Sequence, residues 1–142
     1  MTSAVRWLRI AYWVGAIVDL AAGAQMLCPP LFAFGMGLKG FNPGPDYRYA
    51  MGMGASLMFG WTVLLLWADR RPIERMGVLP LTVVPVIAGV ALNEAAGVGS
   101  GFLSVTAAAP IWALQAVISA LFLVSYGVAR RVLRAEDGPG AA

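Results

Sequence analysis

Four long apolar runs limit what this chain of 142 residues can become. A helix needs about 20 mostly apolar residues to cross the hydrocarbon core of a bilayer. The predicted spans cover residues 10–27, 49–68, 77–96 and 108–129. Charged residues make up only 12% of the chain, against about 25% in soluble domains. The sequence therefore predicts an all-α integral membrane protein, with a four-helix transmembrane domain over 1–134 and a flexible tail over 135–142.

Basic residues predict how the spans are oriented. Eight of the ten lysines and arginines precede the first span, lie between the second and third, or follow the fourth. The other two connections contain only Lys39 and Arg48, both of them between the first and second spans. Because cytoplasmic segments are enriched in Lys and Arg, we expect both termini and the tail to be cytoplasmic, in a cell membrane such as a bacterial inner membrane. The long connection 28–48 then lies on the outer side.

Missing residue types exclude several functions. The chain has no histidine and one cysteine, Cys28. This excludes a Ser-His-Asp triad, ligation by imidazole, an internal disulfide and a CxxC pair. Neither a metal nor a cofactor is predicted. Because the basic residues sit at the ends of apolar runs, nucleic acid is not a predicted partner. The predicted partners are the lipid bilayer and either further copies of the chain or a larger membrane complex.

Asp19 is the first candidate functional residue, since it interrupts the apolar run AIVDLAAGAQML at 16–27. An Asp at the centre of a spanning helix costs about 2.5–3.5 kcal/mol on insertion scales, and such residues almost always face a bundle interior or water. Proton transfer, cation binding and ligand anchoring are the functional interpretations. The structural alternative is a hydrogen bond between helices, from Asp19 to Gln115 or Ser56.

Other polar residues fall at depths from which they can join Asp19. At about 1.5 Å of rise per residue, Gln115 lies near the same depth. The remaining ligand- or proton-binding candidates lie nearer the outer surface and comprise Gln25, Arg48, Asn93 and Glu94. If these side chains converge, they line a funnel from the outer face with Asp19 at its floor, and Arg48 can neutralise Glu94.

A stripe of small residues predicts where helices pack. Gly52, Ser56 and Gly60 recur every four residues in the second span. Lipid provides no hydrophobic reason for helices to associate, so small residues that allow close approach matter. We expect this stripe to face another helix. Pro85 removes one backbone donor inside the third span and predicts a kink there.

Three functions stay open. The favoured one is an accessory or structural membrane subunit, in which the polar groups hold helices together. The second is a small transporter-like protein that binds a cationic or protonated amphiphile at Asp19. In size, span number and an acidic residue in the first span, the chain is similar to the small multidrug transporters, although it carries none of their local motifs and its loops are longer. The third is a membrane enzyme that acts on a lipid or quinone, with Asp19 or Glu94 as acid or base. Because no second catalytic group is identifiable, enzyme activity is not favoured.

Overall fold

The chain folds into helices alone. A computed structural model describes residues 2–136, and these residues contain no β-strand. The helices are α1 (Thr2–Leu27), α2 (Pro29–Gly35), α3 (Pro45–Asp69), α4 (Val78–Gly99) and α5 (Val105–Glu136). All but the short α2 are long and apolar enough to cross a membrane. The predicted all-α fold with four candidate spans is confirmed.

The helices extend beyond the apolar runs that predicted them. α1 begins at Thr2 and so includes Arg6 and Arg9, which precede the predicted first span. α5 continues to Glu136, so its last two residues fall within the stretch predicted as a flexible tail. Hydropathy marks only the part of a helix that matches the hydrocarbon core, whereas backbone hydrogen bonding continues into the polar interface. The rest of the predicted tail, 137–142, lies outside the described residues.

Pro85 is accommodated by a change of helix type within α4. The segment Thr82–Ile87 is π-helical, and the Ala88 N–H donates to the carbonyl of Val83, five residues back. Because proline has no N–H, an α-helical carbonyl four residues earlier loses its donor. A wider turn offers other pairings, and π-bulges are a recognised cause of bends in helices. The disruption predicted at Pro85 therefore takes the form of a π-helical segment.

The buried core lies at one end of the bundle, where α1 begins and α5 ends, here called the terminal end. α1 packs along α3 and against α5, and α4 packs against α5. The largest fully buried side chains are Tyr12, Phe122, Leu8, Leu65 and Leu79. The Tyr12 hydroxyl donates to the main-chain carbonyl of Pro72 at 3.2 Å, which attaches α1 to the segment between α3 and α4.

Close contact between α1 and its neighbours depends on two glycines of α1. A Cβ atom on Gly15 would lie 2.6 Å from Phe122 Cζ and 2.9 Å from Leu65 Cδ1. A Cβ atom on Gly23 would lie 2.6 Å from Phe59 Cε1. Real Cβ atoms essentially never lie within these three distances, so a larger residue at either position requires the neighbouring side chains or helices to shift. Small residues on α1 thus receive large residues of α3 and α5.

The helix that Gly52, Ser56 and Gly60 are predicted to face is not found among the helices of this chain. Nothing lies within 4 Å of a Cβ built on Gly52 or Gly60. The exposed Ser56 hydroxyl donates to the Gly52 carbonyl of its own helix at 3.0 Å. Within residues 2–136 the stripe therefore contacts no other helix. The face of α3 that is buried instead carries Ala55, Thr62, Leu65 and Ala68.

The opposite end, here called the loop end, carries the 28–44 and 100–104 connections. Phe32, Phe41 and Tyr47 form an aromatic cluster in which ring centroids are 5.1–5.8 Å apart. Gly37 has a φ of +66°, and a Cβ on it would lie 3.2 Å from the Ala107 Cβ. Glycine is favoured at that φ because it has no side chain to clash. The 28–44 connection therefore lies close against the start of α5.

Candidate functional site

The most closely coupled polar pair joins α4 to α5. The side-chain amide of Gln115 donates to both carboxylate oxygens of Glu94, at 3.1 Å each. Glu94 is only 6% exposed although it carries a carboxyl group. Burying a carboxylate in apolar surroundings is costly unless it is hydrogen-bonded. The amide of Gln115 partly offsets this cost, and the two residues form a polar site within an apolar pair of helices.

The polar network around Glu94 is incomplete within the described residues. The Oε1 atom of Gln115 is buried and accepts no hydrogen bond. Trp112 lies one helical turn earlier on the same face of α5, and its buried indole N–H lies near the Glu94 carboxylate. Buried polar atoms are nearly always paired in folded proteins. One free acceptor, the Oε1 of Gln115, therefore lies close to the carboxylate, available to a molecule that carries a donor.

A groove runs along the two helices beside this pair; Gln115 lines it, whereas Glu94 does not. It has a volume of about 550 Å³ and lies between α4 and α5. Its walls are formed by Val83, Ile87, Ala88, Ala91, Leu92, Trp112, Gln115, Ala116 and Ser119. The part nearest the terminal end is formed by the π-helical segment. The groove is apolar except at Gln115 and Ser119, so it suits a ligand that is mostly apolar and has one polar end.

Helix periodicity explains why the groove residues and the Glu94–Gln115 pair lie on the facing sides of α4 and α5. Ile87, Ala91 and Glu94 follow spacings of four and three on α4, which places them on one face. Trp112, Gln115 and Ser119 follow spacings of three and four on α5. Because the two helices run in opposite directions, Glu94 meets Gln115 at the end of the groove nearer the loop end.

Asp19 faces the interior of the bundle but lies apart from this pair. It lies on α1 between Gly15 and Gly23, the two positions at which α3 and α5 approach most closely. Its Oδ2 atom is buried and has no hydrogen-bond partner among residues 2–136. The amide of Gln115 donates to Glu94 instead, and Ser56 donates to its own helix. The alternative prediction of a hydrogen bond from Asp19 to Gln115 or Ser56 is therefore wrong.

The other predicted site residues do not converge. Gln25 donates to the Leu31 carbonyl at 3.5 Å and so ties α1 to α2. Asn93 is exposed, on a different face of α4 from Glu94. Arg48 is exposed and forms no ion pair within residues 2–136, so it does not neutralise Glu94. Of the six predicted binding residues, only Glu94 and Gln115 come together.

Trp112 and Ser119 line the groove but are not among the site residues predicted from the sequence. Their spacing around Gln115 would have identified both, since residues three before and four after it lie on the same face of a helix. Ser119 lines the groove one turn from Gln115. In the described part of the chain, no group of three or more His, Cys, Asp or Glu side chains could hold a metal ion.

The fold and this site define a class: a small all-helical protein with four helices able to cross a membrane and a polar pair beside a lateral groove. Comparison of the chain with models of known protein families, with curated proteins and with solved structures gives no match.

Proposed function

We propose that this protein is a small membrane protein that binds a cationic amphiphile in the groove between α4 and α5. The observation that carries this proposal is the buried Glu94 carboxylate, which is hydrogen-bonded to Gln115, a residue of the wall of the apolar groove. The binding prediction made from the sequence is kept, but its site moves from Asp19 to Glu94. A bacterial inner membrane, with both termini in the cytoplasm, is the proposed location.

The chemistry of the ligand follows from the groups at each part of the groove. A carboxylate selects a positive group, and a primary ammonium can also donate to the free Oε1 of Gln115. The apolar walls select an alkyl or aromatic body. A volume of about 550 Å³ falls within the range of roughly 300–1,000 Å³ usual for small-molecule sites. A single-chain alkylammonium has this combination of head and tail.

Binding of dodecylammonium to the protein in lipid nanodiscs tests the proposal, with dodecanol as the uncharged probe. Glu94→Gln keeps the shape of the side chain and its hydrogen bonding to Gln115 but removes the charge. Because hydrogen bonds to charged groups contribute about 1.5–3 kcal/mol, the affinity for dodecylammonium should fall by about tenfold or more. Dodecanol should bind both proteins equally.

Asn93→Ala is the matched control, since Asn93 is adjacent in sequence and exposed on another face. It should leave both affinities unchanged, and thermal unfolding checks that each variant is folded. Equal affinity of dodecylammonium for the wild type and for Glu94→Gln would contradict the proposal.

One observation favours a second candidate function, that of an accessory subunit. The stripe of Gly52, Ser56 and Gly60 lies open on α3, where small residues allow another membrane helix to approach. In this case Gly60→Leu should abolish association between copies of the chain in mild detergent, measured by light scattering after gel filtration. Gly127→Leu is the control, because Gly127 also has open space around its Cβ position but lies on α5. Association that survives Gly60→Leu would count against this function.

A further inference from the structure

A second pocket lies at the terminal end, away from Glu94, along the first turns of α1. Its volume is about 470 Å³. It is lined by Thr2, Arg6, Arg9, Ile10 and Trp13 of α1, with Asp69 of α3. The pocket is thus formed where the start of α1 meets the end of α3, and neither Glu94 nor the α4–α5 groove contributes to it.

The pocket carries an excess of positive charge. Arg9 Nε lies 3.6 Å from Asp69 Oδ1, and the two side chains are 58% and 19% exposed. Asp69 therefore balances Arg9. Arg6, one turn earlier on the same helix, lines the same pocket and forms no ion pair among residues 2–135. Two guanidinium groups and one carboxylate leave a net charge of about one positive unit, which attracts an anion.

Polarity changes along the pocket in one direction. Thr2 and Arg6 lie at the end of the helix, whereas Ile10 and Trp13 lie deeper in the span. At about 1.5 Å per residue, the pocket follows α1 for about 16 Å. Trp13 is 52% exposed, as suits a ring in the interface of a bilayer. A phospholipid has the same order of groups, with its phosphate at the surface and its acyl chains beneath.

We propose that this pocket binds an anionic phospholipid. Arg6 and Arg9 hold the phosphodiester, since a guanidinium presents two N–H groups in the geometry that phosphate oxygens accept. The Thr2 hydroxyl lies at the same end and is a further donor. Ile10 and Trp13 contact the upper part of an acyl chain. Asp69 keeps Arg9 in place and excludes a second anion from the pocket.

Native mass spectrometry of the delipidated full chain in detergent tests this site, with phosphatidylglycerol as the probe and phosphatidylcholine as the zwitterionic comparison. The wild type should bind phosphatidylglycerol in preference. Arg6→Gln should weaken that binding by about fivefold, the value expected for one basic residue at a membrane surface. Arg134→Gln is the control, because Arg134 is an exposed arginine near the terminal end that does not line the pocket.

Three results would overturn the proposal. Equal binding of the two lipids by the wild type would show that charge is not recognised, whatever the variants do. Unchanged binding in Arg6→Gln would place the lipid elsewhere. Displacement of phosphatidylglycerol by millimolar inorganic phosphate would identify a site for soluble anions rather than for a lipid.

Discussion

Trp61 of α3 donates its indole N–H to the hydroxyl of Thr82 in α4 at 3.0 Å, and Thr82 in turn donates to the Val78 carbonyl at 2.8 Å. Thr82 is the first residue of the π-helical segment and is 2% exposed. The contact therefore attaches α3 to α4 where the backbone of α4 changes its hydrogen-bond pattern, at the end of the groove opposite Glu94.

Trp61→Phe should destabilise the fold, because it removes the donor and leaves the buried Thr82 hydroxyl with one unpaired lone pair. Hydrogen bonds between membrane helices contribute about 0.6 kcal/mol on average, and we expect a loss of about that size in the free energy of unfolding in mixed micelles. Trp7→Phe is the control, since Trp7 is half-exposed and its indole forms no hydrogen bond to residues 2–136. Equal losses for both variants would show that ring size, not the hydrogen bond, matters.

Gly15→Ala should lower stability, whereas Gly52→Ala should not. A methyl group at Gly15 meets the Phe122 ring and Leu65, and overpacking of this kind costs about 1–3 kcal/mol. A methyl group at Gly52 meets nothing within 4 Å, and Ala is the better helix former. Thermal unfolding of both variants in detergent measures the difference. If Gly52→Ala lowered the stability as much as Gly15→Ala, the small-residue stripe of α3 would have to pack against another helix inside the bundle.

Asp19→Leu should leave the stability unchanged or raise it. The buried Oδ2 of Asp19 has no partner within residues 2–136, so an apolar replacement removes a desolvated group without leaving another unpaired. Asp19→Asn should leave dodecylammonium binding unchanged, because Asp19 lies on α1 and forms no hydrogen bond to Glu94 or Gln115, the proposed cation site. Marked destabilisation by Asp19→Leu would indicate that Asp19 has a polar partner. Weakened dodecylammonium binding in Asp19→Asn would indicate that Asp19, as first predicted, is the cation site.

Reporter fusions test the orientation. A chain that crosses the membrane four times has both ends on one side, and from the distribution of basic residues we expect that side to be the cytoplasm. Alkaline phosphatase fused after Ala142 should be inactive in bacterial cells, and green fluorescent protein at the same position should fluoresce. Alkaline phosphatase fused after Lys39 should be active. The reverse pattern would invert the proposed topology.

The number of helices able to span a membrane could be predicted from the sequence, although the short α2 could not, and the depth of each polar residue followed from its position in a span. In lipid, every backbone polar group must be paired within the protein, so an apolar run of sufficient length forms a helix whatever surrounds it. Depth follows from counting residues along a helix of constant rise. These arguments led to the predicted spans, and they placed Glu94 and Gln115 as polar residues within or near the membrane.

Which way each helix faces was decided only by tertiary structure. A soluble helix turns its apolar side inward, but in a membrane both the bundle interior and the lipid are apolar, so composition indicates little about rotation. The stripe on α3 and the pair Gly15 and Gly23 on α1 look equally suited to close packing, yet only the glycines of α1 receive neighbouring side chains. Glu94 and Gln115 are 21 residues apart and meet because α4 and α5 are adjacent and antiparallel. That adjacency arises from packing between distant parts of the chain, which no local pattern records.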